Sequence, residues 1–292
     1  MYRGQLKNIN GINLDLTFRS GQIFRFKKIS TYWIGIYKFS IVALKQEDKQ
    51  ISYKVEGIIK EDELINFLSL NDDFSSIFDE IPKDDVMYQI YIKNKGLALL
   101  KQDPWECLLS YLSTSLNNIK RINIILDRLA FMYGKELRMG NLRLSTYPAM
   151  EDFCKLNYDD FKSIGLGFRA KYYAYLVKKI KEGFDIYSLS NLETCNLKKQ
   201  LQAIKGIGKK TADCICLYSF NRLECFPQDI WIKKAILKYF KNEIDKYLGF
   251  NISFKNIEKK YEEISSYFNK KYNNLAGYIQ LLLYNSIRNS II

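Results

Sequence analysis

Apolar residues recur along this chain with two different periods, and the change from one to the other divides it. In the first hundred residues the dominant spacing is two: Leu14, Leu16 and Phe18 alternate with polar neighbours, as do Ile51, Tyr53 and Val55. Trp33 to Leu44 is rich in aromatic and β-branched types. These stretches predict strands of an antiparallel sheet, with helical patterns at 62–70 and 86–93 covering one of its faces. Beyond Lys101 nearly every segment reads as helix. Asp103, Pro104 and Glu106 supply the cap, first-turn proline and reciprocal carboxylate of a helix start. Ile122, Ile125, Leu129 and Tyr133 then keep helical spacing until Gly134 stops it. A last helix, roughly Gly277 to Ser290, presents Gln280 and Tyr284 one turn apart on one face. The pattern predicts an α+β protein, with an N-terminal antiparallel β domain and covering helices over residues 1–98 and a mostly α-helical domain over 99–292.

Within the helical part, the segment Leu201 to Ala235 carries the most chemistry. An apolar helix runs into Gly206-Ile207-Gly208, a second helix starts at Lys209 and Lys210, and Asp229 follows behind Pro227. The two glycines permit positive φ and close backbone approach in a tight helix-to-helix turn. The second helix leaves its first N–H groups unpaired, and these, with the positive end of the helix dipole, suit a phosphate. Ile204, Ile207, Ala212, Ile215 and Leu217 supply apolar contacts between the two arms of a helix-hairpin-helix at about 197–220. A glycine-capped helical hairpin without ligand is the plain alternative. A nucleotide P-loop is excluded, since it would need glycine at Ala203 and a hydroxyl at Lys210. Read by itself, Lys210 is a solvated lysine and Asp229 a good helix N-cap.

Composition narrows the chemistry. The 292 residues, 47% apolar, suffice for one large domain or two moderate ones. A net charge of +13 favours a polyanionic partner, although charge alone does not separate DNA, RNA and an anionic membrane. There is no histidine, which removes Ser-His-Asp and Cys-His nucleophile systems and every His-containing zinc site. A lysine nucleophile with a carboxylate partner survives. Cys107, Cys154, Cys195, Cys214, Cys216 and Cys225 lack paired CxxC spacing, so reduced thiols and no metal are expected. No run is long and apolar enough to span a bilayer, and the start MYRGQLKNIN is no signal peptide, so the expectation is a soluble cytoplasmic protein without membrane partner.

The stretch Lys205-Gly206-Ile207-Gly208-Lys209-Lys210-Thr211-Ala212-Asp213-Cys214-Ile215-Cys216, followed by Phe226-Pro227-Gln228-Asp229, resembles the helix-hairpin-helix glycosylase superfamily. Within it, the match is to 8-oxoguanine DNA glycosylase/AP lyase of the type with an N-terminal β domain. Ser20-Gly21-Gln22-Ile23-Phe24-Arg25, Gln102-Asp103-Pro104-Trp105-Glu106-Cys107, Asn117-Asn118-Ile119-Lys120-Arg121-Ile122, Leu166-Gly167-Phe168-Arg169-Ala170-Lys171 and Gly277-Tyr278-Ile279-Gln280 agree in the same order. The resemblance covers nearly the whole chain.

It implies a bifunctional enzyme that flips 8-oxoguanine out of double-stranded DNA, excises it through a lysine Schiff base and nicks the strand by β-elimination. Lys210 would attack C1′, with its charge suppressed by the helix N-terminus, Lys209 and partial desolvation, while Asp229 stabilises positive charge on the sugar. The carbonyl of Gly21 would accept the N7 hydrogen that the lesion has and guanine lacks. Gln280 would read the Watson–Crick edge, and Cys214 and Tyr284 would sandwich the ring, the family usually having phenylalanine at the second position. Gly206, Gly208 and Lys209 would hold the backbone. Asn117, Asn118 and Phe168 would fill the gap in the duplex, with Arg121 and Arg169 on the orphaned cytosine. Leu116 departs from the family, which commonly has a third asparagine there that contacts the cytosine; leucine fills space without hydrogen bonding, which predicts weaker cytosine preference. Trp231 stands where a histidine usually contacts phosphate, leaving backbone groups or Lys233 to substitute. The four clustered cysteines of the endonuclease III type are missing after Cys225, so no iron–sulfur cluster and no cofactor are expected, and the resemblance implies a monomer. Two other classes stay open: a monofunctional alkylated-base glycosylase, which ordinarily lacks a lysine at position 210, and a non-catalytic helix-hairpin-helix DNA-binding protein.

Overall fold

The structure, a computed structural model, describes residues 1–7, 11–79 and 81–289. Five strands, β1 (Tyr2–Lys7), β2 (Lys27–Ile29), β3 (Tyr32–Tyr37), β4 (Ser40–Glu47) and β5 (Gln50–Glu56), form one antiparallel sheet in the order β1-β5-β4-β3-β2. The alternation at Ile51, Tyr53 and Val55 does become a strand, paired in register with Leu6, Gly4 and Tyr2.

The alternation at Leu14, Leu16 and Phe18 does not. Leu14–Arg19 is a helix, α1, capped by Asn13, whose side chain accepts from the Leu16 amide at 2.9 Å. Leu14, Thr17 and Phe18 are its buried residues, and that spacing of three and four is as present in the sequence as the spacing of two. A capping asparagine with Asp15 in the first turn decides for helix.

The two helices expected to cover the sheet part company. α2 (Glu61–Phe67) lies on it, with Phe67 stacked on Tyr37 at 4.3 Å between ring centroids. α3 (Val86–Lys93) instead turns Met87 and Ile90 into the core of the helical part, and Asn94 at its end exchanges hydrogen bonds of 2.6 Å with Ser286 and Asn285. An apolar stripe states that a face is buried, not against what.

The helical part contains α4 (Pro104–Leu112), α5 (Ile119–Tyr133), α6 (Met150–Phe153), α7 (Tyr158–Ser163), α8 (Ala170–Lys181), α9 (Thr194–Gln202), α10 (Lys209–Phe220), α11 (Ile230–Ala235), α12 (Lys241–Leu248), α13 (Tyr261–Lys271) and α14 (Ala276–Arg288). Ser290, the expected end of α14, lies outside the described residues. The helices are interrupted by a hairpin that the helical reading overlooked, β6 (Glu136–Met139) with β7 (Leu142–Ser145), turning at Gly140-Asn141. Asp103 caps α4, accepting from the Trp105 and Glu106 amides at 3.0 Å each. Glu106 does not reciprocate; its buried carboxyl is turned toward the backbone amides of Lys38 and Phe39 in the β3–β4 turn. Residues 97–102 run between the two cores, with Ala98 and Leu100 in the sheet's and Leu97 and Leu99 in the helical one. The Lys101 amide donates to the Phe67 carbonyl at 3.0 Å and that of Gln102 to Tyr218 at 2.7 Å, which fixes the sheet layer to α10.

Candidate active site

The hairpin between α9 and α10 forms as the glycine spacing predicts, but its two glycines do different work. Gly206 has φ +98°, and a Cβ there would stand 2.5 Å from the Tyr172 ring. Gly208 is extended, at φ −92° and ψ −178°, with open space where a Cβ would be. Only the first therefore needs glycine for the fold. Gly208 is the N-cap of α10 and supplies no side-chain cap, so the first-turn amides of α10 keep their donors for something else.

Lys210 lies in that first turn. It is half-buried, with its ammonium 5.6 Å from the centre of the Tyr111 ring and within electrostatic reach of the Cys214 thiol. Asp229 is the N-cap of α11: one carboxylate oxygen accepts from the Trp231 and Ile232 amides at 2.9 Å each. The cap reading of Asp229 is met, and the same capping carboxylate lies within electrostatic reach of Lys210. Burial pushes the Asp229 carboxyl above its ordinary range, against the two amides and Lys210. For Lys210 the expected suppression is not what the surroundings produce. Burial acts to lower its pKa, but Cys214, Asp229 and Tyr284 act upward and prevail. The neighbouring groups favour the ammonium form by more than desolvation disfavours it. The Cys214 thiol itself is pushed up to about 12 by burial, so it is neutral at physiological pH.

The predicted base-reading residues converge on the same place. Gly21 has φ +87°, and a Cβ there would be 3.4 Å from the Tyr284 ring and 3.3 Å from Ile119. Gln280 is buried on α14 and its side-chain oxygen accepts from the Tyr218 hydroxyl at 3.3 Å. Cys214 and Tyr284 both sense the charge of Lys210 and Asp229, as Tyr218 senses that of Asp229. Residues from α1, α10, α11 and α14 therefore share one cluster.

The predicted gap-filling residues sit on two loops that are clamped together. Leu116 has φ +49° and is 90% exposed; Phe168 is 45% exposed. Asn117 spends its amide on the Ser113 carbonyl at 3.1 Å and on the Asn118 backbone, and Asn118 caps α5 by accepting from the Arg121 amide at 2.9 Å. Arg169 is buried and donates to the carbonyls of Ser115, at 2.6 Å, and Leu116, at 2.7 Å, so in the free protein its guanidinium holds the Leu116 loop. Arg121 is exposed, and its charge together with burial lowers the pKa of Arg169. Lys209 pairs with Glu262 at 3.2 Å, and Lys233 with Glu258 at 2.7 Å. With Lys233 engaged, Lys234 is the exposed cation here, 4.8 Å over the Trp231 ring.

Comparison with known proteins places this arrangement. Residues 6–108 match the model of the 8-oxoguanine DNA glycosylase N-terminal domain. Over 289 residues, 94% of this chain and 76% of the other, the sequence is 27% identical to N-glycosylase/DNA lyase OGG1 of Arabidopsis thaliana. A solved structure of MBOgg1 with a low-affinity DNA ligand superposes with a TM-score of 0.87 at 26% identity, covering 99% of this chain and 96% of that one. The apo-form of the Clostridium acetobutylicum 8-oxoguanine glycosylase/lyase gives 0.84 at 25% identity, over 98% and 96% of the two chains. Over nearly its whole length the chain is similar to 8-oxoguanine DNA glycosylases, and its N-terminal third matches their N-terminal domain. Its partner is DNA.

Several residues that hold the site in place escaped the sequence reading. Gln22 fixes the Gly21 loop: its amide nitrogen donates to Ala98 at 2.9 Å, its oxygen accepts from the Leu100 amide at 2.8 Å, and its carbonyl receives Gln102 at 2.7 Å and the Tyr111 hydroxyl at 2.9 Å. Tyr111 stacks on Tyr218 at 5.6 Å, joining the floor beneath Lys210 to the group that orients Gln280. Buried Asp213 on α10 takes Lys198 at 2.6 Å and the Tyr261 hydroxyl at 2.7 Å, and that hydroxyl accepts from the Gln228 amide next to Asp229 at 3.3 Å. Gln22 and Asp213 stood inside the matching motifs; Tyr111, Lys198 and Tyr261 carried no signal short of the fold. Among the described residues no group of His, Cys, Asp and Glu could hold a metal ion, and no helix is long and apolar enough to cross a membrane.

Proposed function

We propose that this protein is a bifunctional DNA glycosylase and AP lyase that removes 8-oxoguanine from duplex DNA and nicks the strand. The observation that carries the reading is the meeting of Lys210, at the start of α10, and Asp229, at the start of α11, with Gly21 and the Gln280–Tyr284 face of α14. A stacked base is beyond reach of a side chain, so the nucleotide must first be extruded, at a cost of a few kcal/mol. Leu116 and Phe168, apolar and exposed on clamped loops, are the fillers of the vacated space; Asn117 and Asn118 shape the loop, and Arg121 with Arg169 faces the orphaned cytosine.

In the pocket the Gly21 carbonyl accepts the N7 hydrogen of the lesion, where guanine would present a lone pair and leave the carbonyl unpaired. Gln280 reads the Watson–Crick edge, and Cys214 and Tyr284 flank the ring. Lys210 is held as an ammonium ion in the free protein, so it must lose a proton before its lone pair forms the bond to C1′. The C1′–N9 electrons leave with the base, which is protonated in turn. Asp229, kept rigid by its cap hydrogen bonds, opposes the positive charge that builds on the sugar. The amine then expels the ring oxygen to give the Schiff base, and loss of a C2′ proton breaks the C3′–O bond. Gly206, Gly208, Lys209 and the free amides of α10 hold the DNA backbone meanwhile.

This reading assigns the sheet to residues 1–98 and the chemistry to 99–292, and it has the protein work as a monomer on 8-oxoguanine-containing double-stranded DNA, in the cytoplasmic compartment, without cofactor or iron–sulfur cluster. Borohydride trapping on an 8-oxoguanine duplex tests it. A covalent adduct that disappears in Lys210→Gln is expected. Base release without trapping would point to a monofunctional glycosylase, and binding without either product to a DNA-binding module.

A further inference from the structure

Arg288, in the last turn of α14, has no place in the reading above, yet it touches both walls that the flipped base would meet. One guanidinium nitrogen donates to the Ser20 carbonyl at 3.1 Å and the other to the Arg19 carbonyl at 2.7 Å. These are the terminal carbonyls of α1, immediately before Gly21, which lack partners in their own helix and attract a cation. The same guanidinium lies 5.6 Å from the centre of the Tyr284 ring, and its charge acts on the Tyr284 hydroxyl. It passes so close to Gly21 that a Cβ there would fall 2.3 Å from its nitrogen. Glycine at position 21 is required by φ +87°, and a side chain there would also displace the guanidinium packed against its Cα.

The geometry points to Arg288 as a specificity-determining positioning residue of the base pocket: one planar fork fixes the peptide that aims the Gly21 carbonyl and the ring that stacks on the base, setting the distance between edge-reading and face-reading groups. A fork with several donors in one plane can bridge two carbonyls and a phenol; a lysine ammonium at the same place cannot hold all three in a fixed plane. The guanidinium over the Tyr284 ring completes the clamp, and the hydroxyl, which a phenylalanine would lack, adds an electrostatic tie to it. The lesion is told from guanine by a single hydrogen bond at Gly21, so a small rotation of this peptide costs discrimination more than it costs binding of DNA.

This inference rests on the 8-oxoguanine reading, and one pair of assays separates the two. Single-turnover excision from an 8-oxoguanine duplex is measured beside nicking of a preformed abasic site, which has no base to read, for the wild type, Arg288→Lys, Arg288→Ala and Tyr284→Phe. The ratio of excision to nicking is expected to fall about tenfold or more in both Arg288 variants, as for loss of a charge-assisted hydrogen bond, and less in Tyr284→Phe. Excision and nicking that fall together, in step with the melting temperature, would show a purely structural arginine and overturn the inference, as would an unchanged ratio. A wild type that nicks abasic DNA but spares 8-oxoguanine would instead overturn the function on which it depends.

Discussion

Leu116→Asn sets two measurable effects against each other. Leu116 holds φ +49°, a left-handed conformation that costs an ordinary side chain about 1–2 kcal/mol and that asparagine tolerates far better. The substitution should therefore stabilise the free protein by roughly 1 kcal/mol, since nothing packs on a side chain that is 90% exposed. On DNA the balance reverses. A leucine so exposed gives up nearly all of its apolar surface on entering the duplex, worth about 2 kcal/mol, or ~30-fold in affinity, and asparagine forfeits most of it. What asparagine adds is a hydrogen bond to the orphaned cytosine, about 1 kcal/mol or ~5-fold, available with that base alone. The assay is single-turnover nicking of four duplexes with cytosine, adenine, guanine or thymine opposite 8-oxoguanine, with thermal unfolding in parallel. Wild type should rank the four narrowly. Leu116→Asn should melt higher, act more slowly opposite adenine, guanine and thymine, and favour cytosine about 5-fold more strongly than wild type does. Equal opposite-base ratios in the two proteins, or a wild type already as selective as the variant, would refute the reasoning.

Other outcomes follow from the same geometry. Because the surroundings raise the pKa of Lys210, kcat/KM should climb with pH through neutrality with a midpoint no lower than the usual lysine value of about 10.4, and Asp229→Asn, which removes one of the raising charges, should bring the midpoint of Schiff-base trapping on abasic DNA down; a plateau reached near neutral pH speaks against both. The raised carboxyl of Asp229 sets the acid limb above the ordinary aspartate range, activity being lost as pH falls through that elevated value. Gly206→Ala should lose about 2 kcal/mol or more in chemical denaturation, from its φ of +98° and the Tyr172 ring. Gly208→Ala should melt like wild type and yet bind duplex DNA more weakly, since its methyl would point into open space on the amide face; unaltered affinity would separate Gly208 from the phosphate. Asp213→Ala strands Lys198 and frees the Tyr261 hydroxyl, with a destabilisation of about 3 kcal/mol on urea unfolding.

The parts of the fold legible in the sequence were those in which local chemistry and tertiary packing agree. Gln50–Glu56 and Ile119–Tyr133 carry periodicity that is buried on one face, while the aromatic and β-branched run that forms Tyr32–Tyr37 and Ser40–Glu47 and the apolar run of Ala276–Arg288 are buried on nearly all sides. Where two periods overlap, as at Leu14 to Phe18, capping chemistry decided, and Asn13 was the signal that a strand reading passed over. The Gly140-Asn141 turn was likewise written in the chain and lost among helical neighbours.

By itself the sequence determined which groups could do chemistry. The absence of histidine, the lysine after the hairpin and the aspartate behind a proline left little beyond an amine with a carboxylate partner. It also determined the conformations of single residues, because a glycine or a cap acts through its immediate neighbours. Only the tertiary structure decided what those groups experience. Lys210 keeps its proton because Asp229, Cys214 and Tyr284 come to it from other turns and other helices, and electrostatic energy depends on distance and burial, not on position along the chain. The same holds for Met87 and Ile90 of α3, whose stripe announced burial without naming a partner, and for Arg288, which meets Ser20 and Arg19 from the far end of the protein. Residues so far apart in sequence share no pattern until packing brings them together.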